Sequence, residues 1–303
     1  MKRIFLFLLS LLFVHCLVAQ NRLDILTLSG RYTTPQPYDP ALGNNQAQET
    51  GSFVALNIPV PINKKTIFYT SVNYFYFHVN HEADNIDPVN LHGTILRTGL
   101  VKYFNNDQSL QLLLAPRFMT DAKGGGFDNF QLGGLAVYQK VFGPKLTMGF
   151  GAMYNNDFFG PYLVPLVNLD WKISEKFGIS GLLPIYSKIK YRATEKLTIG
   201  LCHFGLTMSF GLNDPAYETD YMQRNSIDVS AFVNYQLFNN VFMELRVGQA
   251  TGRVYEQYDQ DDKITFGLPL VNFGDNRVVK NEQFENGMFA ELRLIYSIKV
   301  PEN

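Results

Sequence analysis

The segment 226–250 alternates apolar and polar residues with a period of two, and it constrains the fold more than any other part of the chain. Successive side chains of a β-strand point to opposite faces, so this period predicts strand rather than helix. The alternation is interrupted once, at 238–240, where the chain can reverse its direction. We therefore predict a β-hairpin with one apolar and one polar face. The apolar face comprises Ile227, Val229, Ala231, Val233, Tyr235 and Leu237, then Val241, Met243, Leu245 and Val247.

The length of the hairpin loop follows from the two faces, because directly opposed residues must lie on the same face of a sheet. A three-residue loop at 238–240 meets this condition, since it opposes Leu237 to Val241 and Asn234 to Glu244. A two-residue loop would oppose apolar Tyr235 to Glu244. We therefore expect the three-residue loop.

The N-terminus predicts export. A basic start, Met1-Lys2-Arg3, precedes an apolar run at 4–18, and the small residue Ala19 offers a cleavage position before Gln20. This is the pattern of a secretory signal peptide, and the run is too short to span a bilayer. We expect a signal peptide at 1–19 and a single barrel domain at 20–303.

The charge and cysteine content of the mature chain exclude two classes of protein. The chain has 26 basic and 27 acidic residues, and loss of Lys2 and Arg3 leaves 24 against 27, a net charge of −3. This balance argues against nucleic-acid binding. Only Cys202 remains after removal of the leader, so no intrachain disulfide can form.

Further period-two segments occupy most of the mature chain, which is rich in aromatics, with 25 Phe and 17 Tyr. No stretch after the leader reaches the ~18 consecutive apolar residues of a transmembrane helix. Export, alternation and aromatics together predict an all-β fold, a transmembrane antiparallel up-and-down β-barrel of about 14 strands, with 12 as the alternative. An apparent switch of apolar parity near Leu201 and Cys202 suggests a β-bulge. The predicted strands are 23–32, 51–60, 66–79, 93–104, 110–118, 130–141, 146–155, 163–171, 177–184, 185–192, 196–212, 226–237, 241–250 and 287–299.

Short turns alternate with longer polar connections along the chain, which is the expected asymmetry between periplasmic turns and external loops. Aromatic residues flank the short turns and predict an interfacial girdle. A soluble β-sandwich would bury the apolar parity instead, but the signal peptide, the loop asymmetry and the girdle together argue against it. The girdle comprises Tyr103, Phe104, Phe142, Trp171, Phe177, Tyr191, Phe238 and Phe242.

Several charged residues fall on the polar parity of the hairpin and of the last strand. A charge inside a barrel needs water or a partner, because an unpaired buried charge is very costly. The two acid–base sets therefore predict a polar network on one side of the lumen. The lumen-facing polar residues are Asp228, Asn234, Glu244, Arg246, Glu291 and Arg293.

Two further groups of residues bear on chemistry. His78, His81 and His92 lie in one polar region and are candidate ligands for Zn²⁺ or Cu²⁺, although their spacing matches no closed site and a plain external loop explains them as well. His203 and Ser209 suggest a hydrolase pair, but no nucleophile motif surrounds Ser209. We expect no cofactor and no enzymatic activity.

The chain resembles an uncharacterised family of Gram-negative outer-membrane β-barrel proteins, a domain of unknown function. The likeness rests on the leader ending at 17–20, the strand with Trp171, the segment 180–184 and Lys190-Tyr191-Arg192. It implies a place in the outer membrane, with the lipid bilayer, lipopolysaccharide and the barrel-assembly machinery as partners. From the residues we expect a channel or porin-like passage for a small solute. The alternatives are a structural or adhesive barrel with a closed lumen and, third, a membrane-embedded enzyme.

Overall fold

The computed structural model describes residues 22–38, 46–81, 89–124, 126–217, 220–281, 283–284 and 286–299. The predicted signal peptide, 1–19, lies outside these residues. Eighteen strands form one sheet, with a 3₁₀ turn at Phe127–Asn129. The strands are β1 (Arg22–Thr33), β2 (Gln36–Pro37), β3 (Gln46–Asn63), β4 (Thr66–His81), β5 (Val89–Tyr103), β6 (Gln108–Leu114), β7 (Arg117–Thr120), β8 (Phe130–Val141), β9 (Leu146–Asp157), β10 (Gly160–Lys172), β11 (Phe177–Leu183), β12 (Tyr186–Arg192), β13 (Leu197–Gly211), β14 (Asp220–Phe238), β15 (Val241–Asp259), β16 (Phe266–Leu268), β17 (Val271–Phe273) and β18 (Met288–Lys299).

The sheet closes into an antiparallel barrel of fourteen strands, which confirms the predicted fold class and strand number. β1 pairs with both β3 and β18, so the first and last strands complete the ring. β6 and β7 are two parts of one barrel strand, interrupted at Ala115 and Pro116, because proline has no N–H to donate to the ladder. β2, β16 and β17 are short strands within the connections.

The barrel has two unlike ends. One end carries six short turns, at 64–65, 104–107, 143–145, 174–176, 194–196 and 239–240, and is called the short-turn end. The opposite end, called the long-loop end, carries the connection at 260–287. Two connections there are nevertheless tight, at 158–159 and 184–185, because β9 and β10 extend further than predicted and β11 and β12 are short.

The residues of the β14–β15 hairpin lie on the predicted faces, but the turn between the two strands differs from the prediction. Asn234 opposes Glu244, as expected. The expected three-residue loop is wrong, since Phe238 opposes Val241 across a two-residue turn. A register shift between Gln236 and Phe238 absorbs one residue, so each side chain stays on its own face.

The predicted bulge near Leu201 and Cys202 is wrong, because β13 keeps one register with β14 from Leu197 to Gly211. The change of parity has another cause. Beyond Phe204 the inward-facing residues themselves become apolar, and Met208 and Phe210 are fully buried. An apolar filling of the lumen, rather than a slip of the strand, explains the pattern.

This part of β13 leaves the barrel wall and crosses the lumen. β12 pairs with β13 only as far as Phe204, so 205–211 keeps β14 alone as its regular neighbour. Its end instead meets the far wall, where Gly211 pairs with Thr120 of β7. Ser209 also accepts hydrogen bonds from the Gln131 side chain at 3.0 Å and from the Phe158 N–H at 3.0 Å. The long-loop half of the lumen is therefore divided in two.

Apolar side chains fill both compartments of the long-loop half. One cluster lies between β13 and the wall formed by β3, β4, β5, β7, β14 and β15, and the other lies against β8, β9 and β10. Close packing of these apolar side chains excludes water from the long-loop half. The first cluster includes Phe75, Phe77, Leu91, Met119, Met208, Phe210 and Tyr255, and the second includes Val137, Phe159, Tyr162, Val164, Leu166, Tyr221 and Ile264.

The outer face of the barrel exposes a continuous belt of large apolar side chains. A soluble sandwich would bury these residues, whereas a bilayer-spanning barrel presents them to lipid, so the closed barrel rules out the sandwich alternative. Among the described residues no helix is long and apolar enough to cross a membrane. The belt includes Leu28, Phe68, Val72, Leu96, Leu112, Phe150, Val229, Val233, Leu245 and Leu292.

Most of the predicted girdle lies where it was expected. Phe104, Phe142, Trp171, Tyr191 and Phe238 are exposed near the short turns. The remaining three differ, because they face inward: Tyr103 is buried, and Phe177 and Phe242 line the lumen.

A substitution on the belt tests which face meets lipid. Val233 is outward and exposed, whereas its neighbour Asn234 faces inward. Val233→Arg is expected to impair assembly, because arginine at the bilayer midplane costs roughly 2–4 kcal/mol. Asn234→Arg is expected to be tolerated better, since the lumen is wet at that level. The yield of heat-modifiable protein in the outer-membrane fraction measures both, and equal yields would contradict the assigned faces.

Candidate functional site

The short-turn half of the barrel encloses a cavity of about 1520 Å³. Turn residues Ser174, Lys176 and Glu195 belong to its lining, so the cavity reaches the short-turn end. Phe77 and Leu206, which pack in or against the apolar filling, line it as well. The volume exceeds that of ordinary small-ligand pockets, roughly 300–1000 Å³. We call this charged space, which ends at the apolar filling, the vestibule.

One wall of the vestibule carries an ion cluster centred on Glu244, whose side chain is 1% exposed. Lys188 Nζ lies 2.7 Å from Oε2 and Arg246 lies 2.7 Å from Oε1. Asn234 donates a hydrogen bond of 3.2 Å to the same carboxylate. Two positive charges and an amide therefore hold Glu244 ionised. The Glu244 cluster comprises Lys188, Asn234, Glu244, Arg246, Glu291 and Arg293, with Arg246–Glu291 at 3.5 Å and Arg293–Glu244 at 3.6 Å.

A second network, which the sequence reasoning missed, lies deeper in the barrel around Glu49. Arg224 Nη2 is 2.8 Å from Glu49 Oε2, and Arg31 Nε is 3.0 Å from Oε1. Tyr255 donates a short hydrogen bond to Glu49, and Arg31 pairs with Asp228. Glu49 and Arg224 are almost completely inaccessible. Asp228, expected to face the lumen, thus belongs to the Glu49 network, whereas the other five predicted lumen residues form the Glu244 cluster.

The sequence contained only a weak signal for the Glu49 network. Arg31 falls on the polar parity of its strand, but Glu49 and Arg224 lie in segments that we expected to be loops. The strands extend through both positions because β3 and β14 continue into the long-loop half. The contacts form only when the ring closes, since Arg224 and Glu49 are 175 positions apart.

The connection between β15 and β18 covers the long-loop end. We call 264–281 the strap. Its N-terminal part reaches β10, where Gly267 pairs with Tyr162 and Ile264 N–H donates to Phe159 O at 2.9 Å. It then returns to β15, where Lys280 N–H donates to Gln257 O at 2.9 Å. The strap thus crosses the end of the barrel from β10 to β15 and lies over the second apolar cluster.

Arg277 pins the strap to the barrel. Its side chain is 2% exposed, lies 4.1 Å from the Tyr258 ring centre and donates to Gln223 Oε1 at 2.7 Å and to Tyr221 Oη at 3.1 Å. Hydrogen bonds from Arg277 hold the pKa of the Asp275 carboxyl at about 2. A depressed carboxyl pKa contributes stability that is present above the ordinary value and is lost as the pH falls towards 2. The pairing of Asp275 with Arg277 within the strap is therefore intact at neutral and mildly acidic pH.

Of the candidate metal ligands, His78 and His92 lie on the outer face, away from the cavity. His78 Nδ1 is 2.9 Å from Asn90 Oδ1, and His92 Nδ1 is 2.8 Å from Tyr74 Oη, so these contacts engage both rings. The side chain of His81 is outside the described residues. Within the described part of the chain, no group of three or more His, Cys, Asp or Glu residues is placed to hold a metal ion.

His203 and Ser209 do not meet. Both lie on β13, six residues apart along one extended strand, a separation of roughly 20 Å. The Ser209 hydroxyl is occupied by the contacts described above, whereas His203 lines the vestibule. The pair therefore lacks the geometry of a nucleophile and its base.

A comparison with protein families gives a match to a domain of unknown function, DUF6268, over residues 15–278. The chain belongs to this family. The family prediction is thereby confirmed. A comparison with curated proteins found no match.

Solved structures similar to this member of the family are outer-membrane barrels. An outer membrane channel from Pseudomonas putida F1 is 8% identical, with 91% of this chain and 96% of that chain covered and a TM-score of 0.45. A Pseudomonas aeruginosa FadL homologue is 12% identical, with 91% and 90% covered and a TM-score of 0.46. The Ralstonia pickettii toluene transporter TbuX is 8% identical, with 96% and 92% covered and a TM-score of 0.43.

Proposed function

We propose that this protein is an outer-membrane channel for small solutes, closed at its long-loop end by a movable gate. The observation that carries the proposal is the vestibule of about 1520 Å³, which reaches the short-turn end and is lined by charged groups. Water and ions can occupy such a space, whereas a purely structural barrel has no need of it.

The closed end is built from parts that can move without opening the barrel wall. The strap attaches through backbone hydrogen bonds at its two ends and through the side chains of Arg277, Lys280 and Asn281. Connections of this kind are the elements that open locally in proteins, because few of their hydrogen bonds lie in the regular ladder. Displacement of the strap would expose the second apolar compartment while all fourteen barrel strands stay paired.

The apolar belt supports the location. It would contact acyl chains, with the exposed aromatics near the short turns at the periplasmic interface and the long-loop end facing outwards. Lipopolysaccharide would then surround the tyrosine and histidine side chains of the outer face near the long loops. Insertion would depend on the barrel-assembly machinery, as for other barrels of this architecture.

A structural barrel with a permanently closed lumen is the second candidate. The crossing of β13 favours it, because Gly211 pairs with β7 and anchors the partition by backbone hydrogen bonding. Under this alternative the vestibule is only a blind recess.

Conductance of the purified wild type in planar bilayers decides between the two functions. The channel predicts discrete openings with a low open probability, because the long-loop end is closed at rest. The heat-dependent shift of the folded band on gels verifies that the inserted protein is a barrel. A folded wild type that never conducts, even after removal of the strap, would reject the channel and leave the structural barrel.

A further inference from the structure

The vestibule is far more basic than the chain as a whole. Its described lining contains twelve Lys and Arg residues against seven Asp and Glu residues, an excess of five positive charges. The complete chain has a formal net charge of −1. Low-dielectric walls concentrate the field of such charges inside a cleft. The composition of the lumen is therefore a local property that the overall charge conceals.

A row of cations on β12 accounts for much of this excess. Ile189 and Tyr191 face outward and are exposed, so the alternate residues Lys188, Lys190 and Arg192 face the vestibule. Alternate residues on one face of a strand are roughly 6.6 Å apart, so the three cations form a ladder that rises from the short turn at 194–196.

The three cations differ in their partners. Lys188 is neutralised by Glu244 at 2.7 Å. The side chains of Lys190 and Arg192 have no hydrogen bond and no ion pair within 4.0 Å among the described residues. Asp170 and Asp24 act on Lys190 electrostatically from greater distances. Two cations of the ladder thus face the vestibule with their donors available.

Arg97 presents a third available cation from another wall. It lines the vestibule from β5, and its side chain has no hydrogen bond or ion pair to any described residue. The ionisable groups that act on it are Tyr69 and a second cation, Arg117. Arg117 is itself paired with Asp157 at 3.1 Å. The inward residues around Arg97 are neutral, including Ser71 opposite it and Tyr69, Asn73 and Gln111 nearby on the lining.

Three acidic residues of the lining are already committed to other cations. Asp228, Glu244 and Glu291 already accept ion pairs from arginine or lysine. A guanidinium that is held among hydroxyl and amide groups, with no carboxylate partner, is suited to an oxyanion supplied from solution.

We propose that the vestibule binds small oxyanions, carboxylates or phosphates, at Lys190 and Arg192 on one wall and separately at Arg97 on another. The inference rests on the proposed function, because it names the class of solute that the channel admits from its short-turn end.

Binding is tested on the folded barrel in detergent, independently of conduction. Sodium phosphate and sodium succinate are titrated at constant ionic strength against sodium chloride, and the midpoint of heat-induced loss of the folded gel band is measured. Both Lys190→Gln and Arg97→Gln are expected to weaken the apparent affinity on the order of tenfold, as for the loss of one charge-assisted hydrogen bond. Lys145→Gln, which removes an exposed cation from a turn outside the lining, is the matched control.

The two probes distinguish the chemical class of the anion. A larger stabilisation by succinate indicates that the vestibule prefers carboxylates, and a larger stabilisation by phosphate indicates that it prefers phosphates. No stabilisation of the wild type by either probe would overturn the inference, as would equal stabilisation of the wild type and both lumen variants. Failure of the wild type to conduct would reject the channel without altering the binding result, so the two failures are distinguishable.

Discussion

Replacement of Glu49 by glutamine is expected to lower the free energy of unfolding of the barrel by about 3–5 kcal/mol, the usual cost of removing one partner from a buried ion pair. Glu49 is 0% exposed and is the shared acceptor for Arg31, Arg224 and Tyr255. Its neutralisation leaves two guanidinium groups close together with only Asp228 to balance them. The measurement is a urea titration of the folded band in detergent.

Glu291→Gln is the matched control for this prediction. It removes the same charge, but its contacts with Arg246 and Arg293 are long, at 3.5 and 3.8 Å, and its side chain is 14% exposed to the vestibule. We expect less than about 1 kcal/mol, as for a solvated pair. Equal losses for the two variants would show that the Glu49 network does not hold the long-loop half together.

Arg277→Ala is expected to raise the open probability of the channel at least about tenfold. The substitution removes hydrogen bonds from a charged donor to Gln223 and Tyr221, and each such bond contributes roughly 1.5–3 kcal/mol. A free-energy change of about 1.4 kcal/mol already alters an equilibrium tenfold, so the strap should detach much more often. Single-channel recording in planar bilayers measures the open time directly.

Lys263→Ala serves as the control for Arg277→Ala. Lys263 is an exposed cation that immediately precedes the strap, and its side chain has no hydrogen bond or ion pair to any described residue. Its replacement should leave the open probability unchanged. An Arg277→Ala variant that folds and behaves like the wild type would place the gate elsewhere, and the partition formed by β13 would then be the closure to test.

The barrel was predictable because period-two alternation, turn residues and loop lengths are local properties of the sequence. The ends of β8, 130 and 141, were predicted without error, and the pairing of Asn234 with Glu244 followed from face matching alone. The long-loop half was not predictable in the same way. There β14 begins at Asp220, in a segment read as a loop, because residues on both faces are buried and the alternation disappears.

The functional residues also differed in how far the sequence could predict them. The Glu244 cluster could be anticipated, because Glu244 and Arg246 lie on one strand face and Glu291 pairs with Arg246 in the neighbouring strand. The free cation Arg97 could not be recognised, since its significance lies in the neutrality of the surrounding wall. Arg277 gave no signal either, because a loop arginine becomes a pin only through contacts with β14 and β15.

The division of the lumen into a wet and a dry half determines where a voltage acts. A hydrated vestibule conducts ions and supports little of a potential difference, so nearly all of the potential falls across the apolar long-loop half. The Glu49 network lies where the vestibule meets the apolar half. Arg31, Arg224 and Asp228 line the inner end of the vestibule, Glu49 and Arg253 are buried beside them, and the five residues carry three positive charges against two negative ones. Each elementary charge that moves through the full potential contributes roughly 2.3 kcal/mol per 100 mV. The network that stabilises the closed end is therefore also the part of the protein on which an electrical gradient exerts its force.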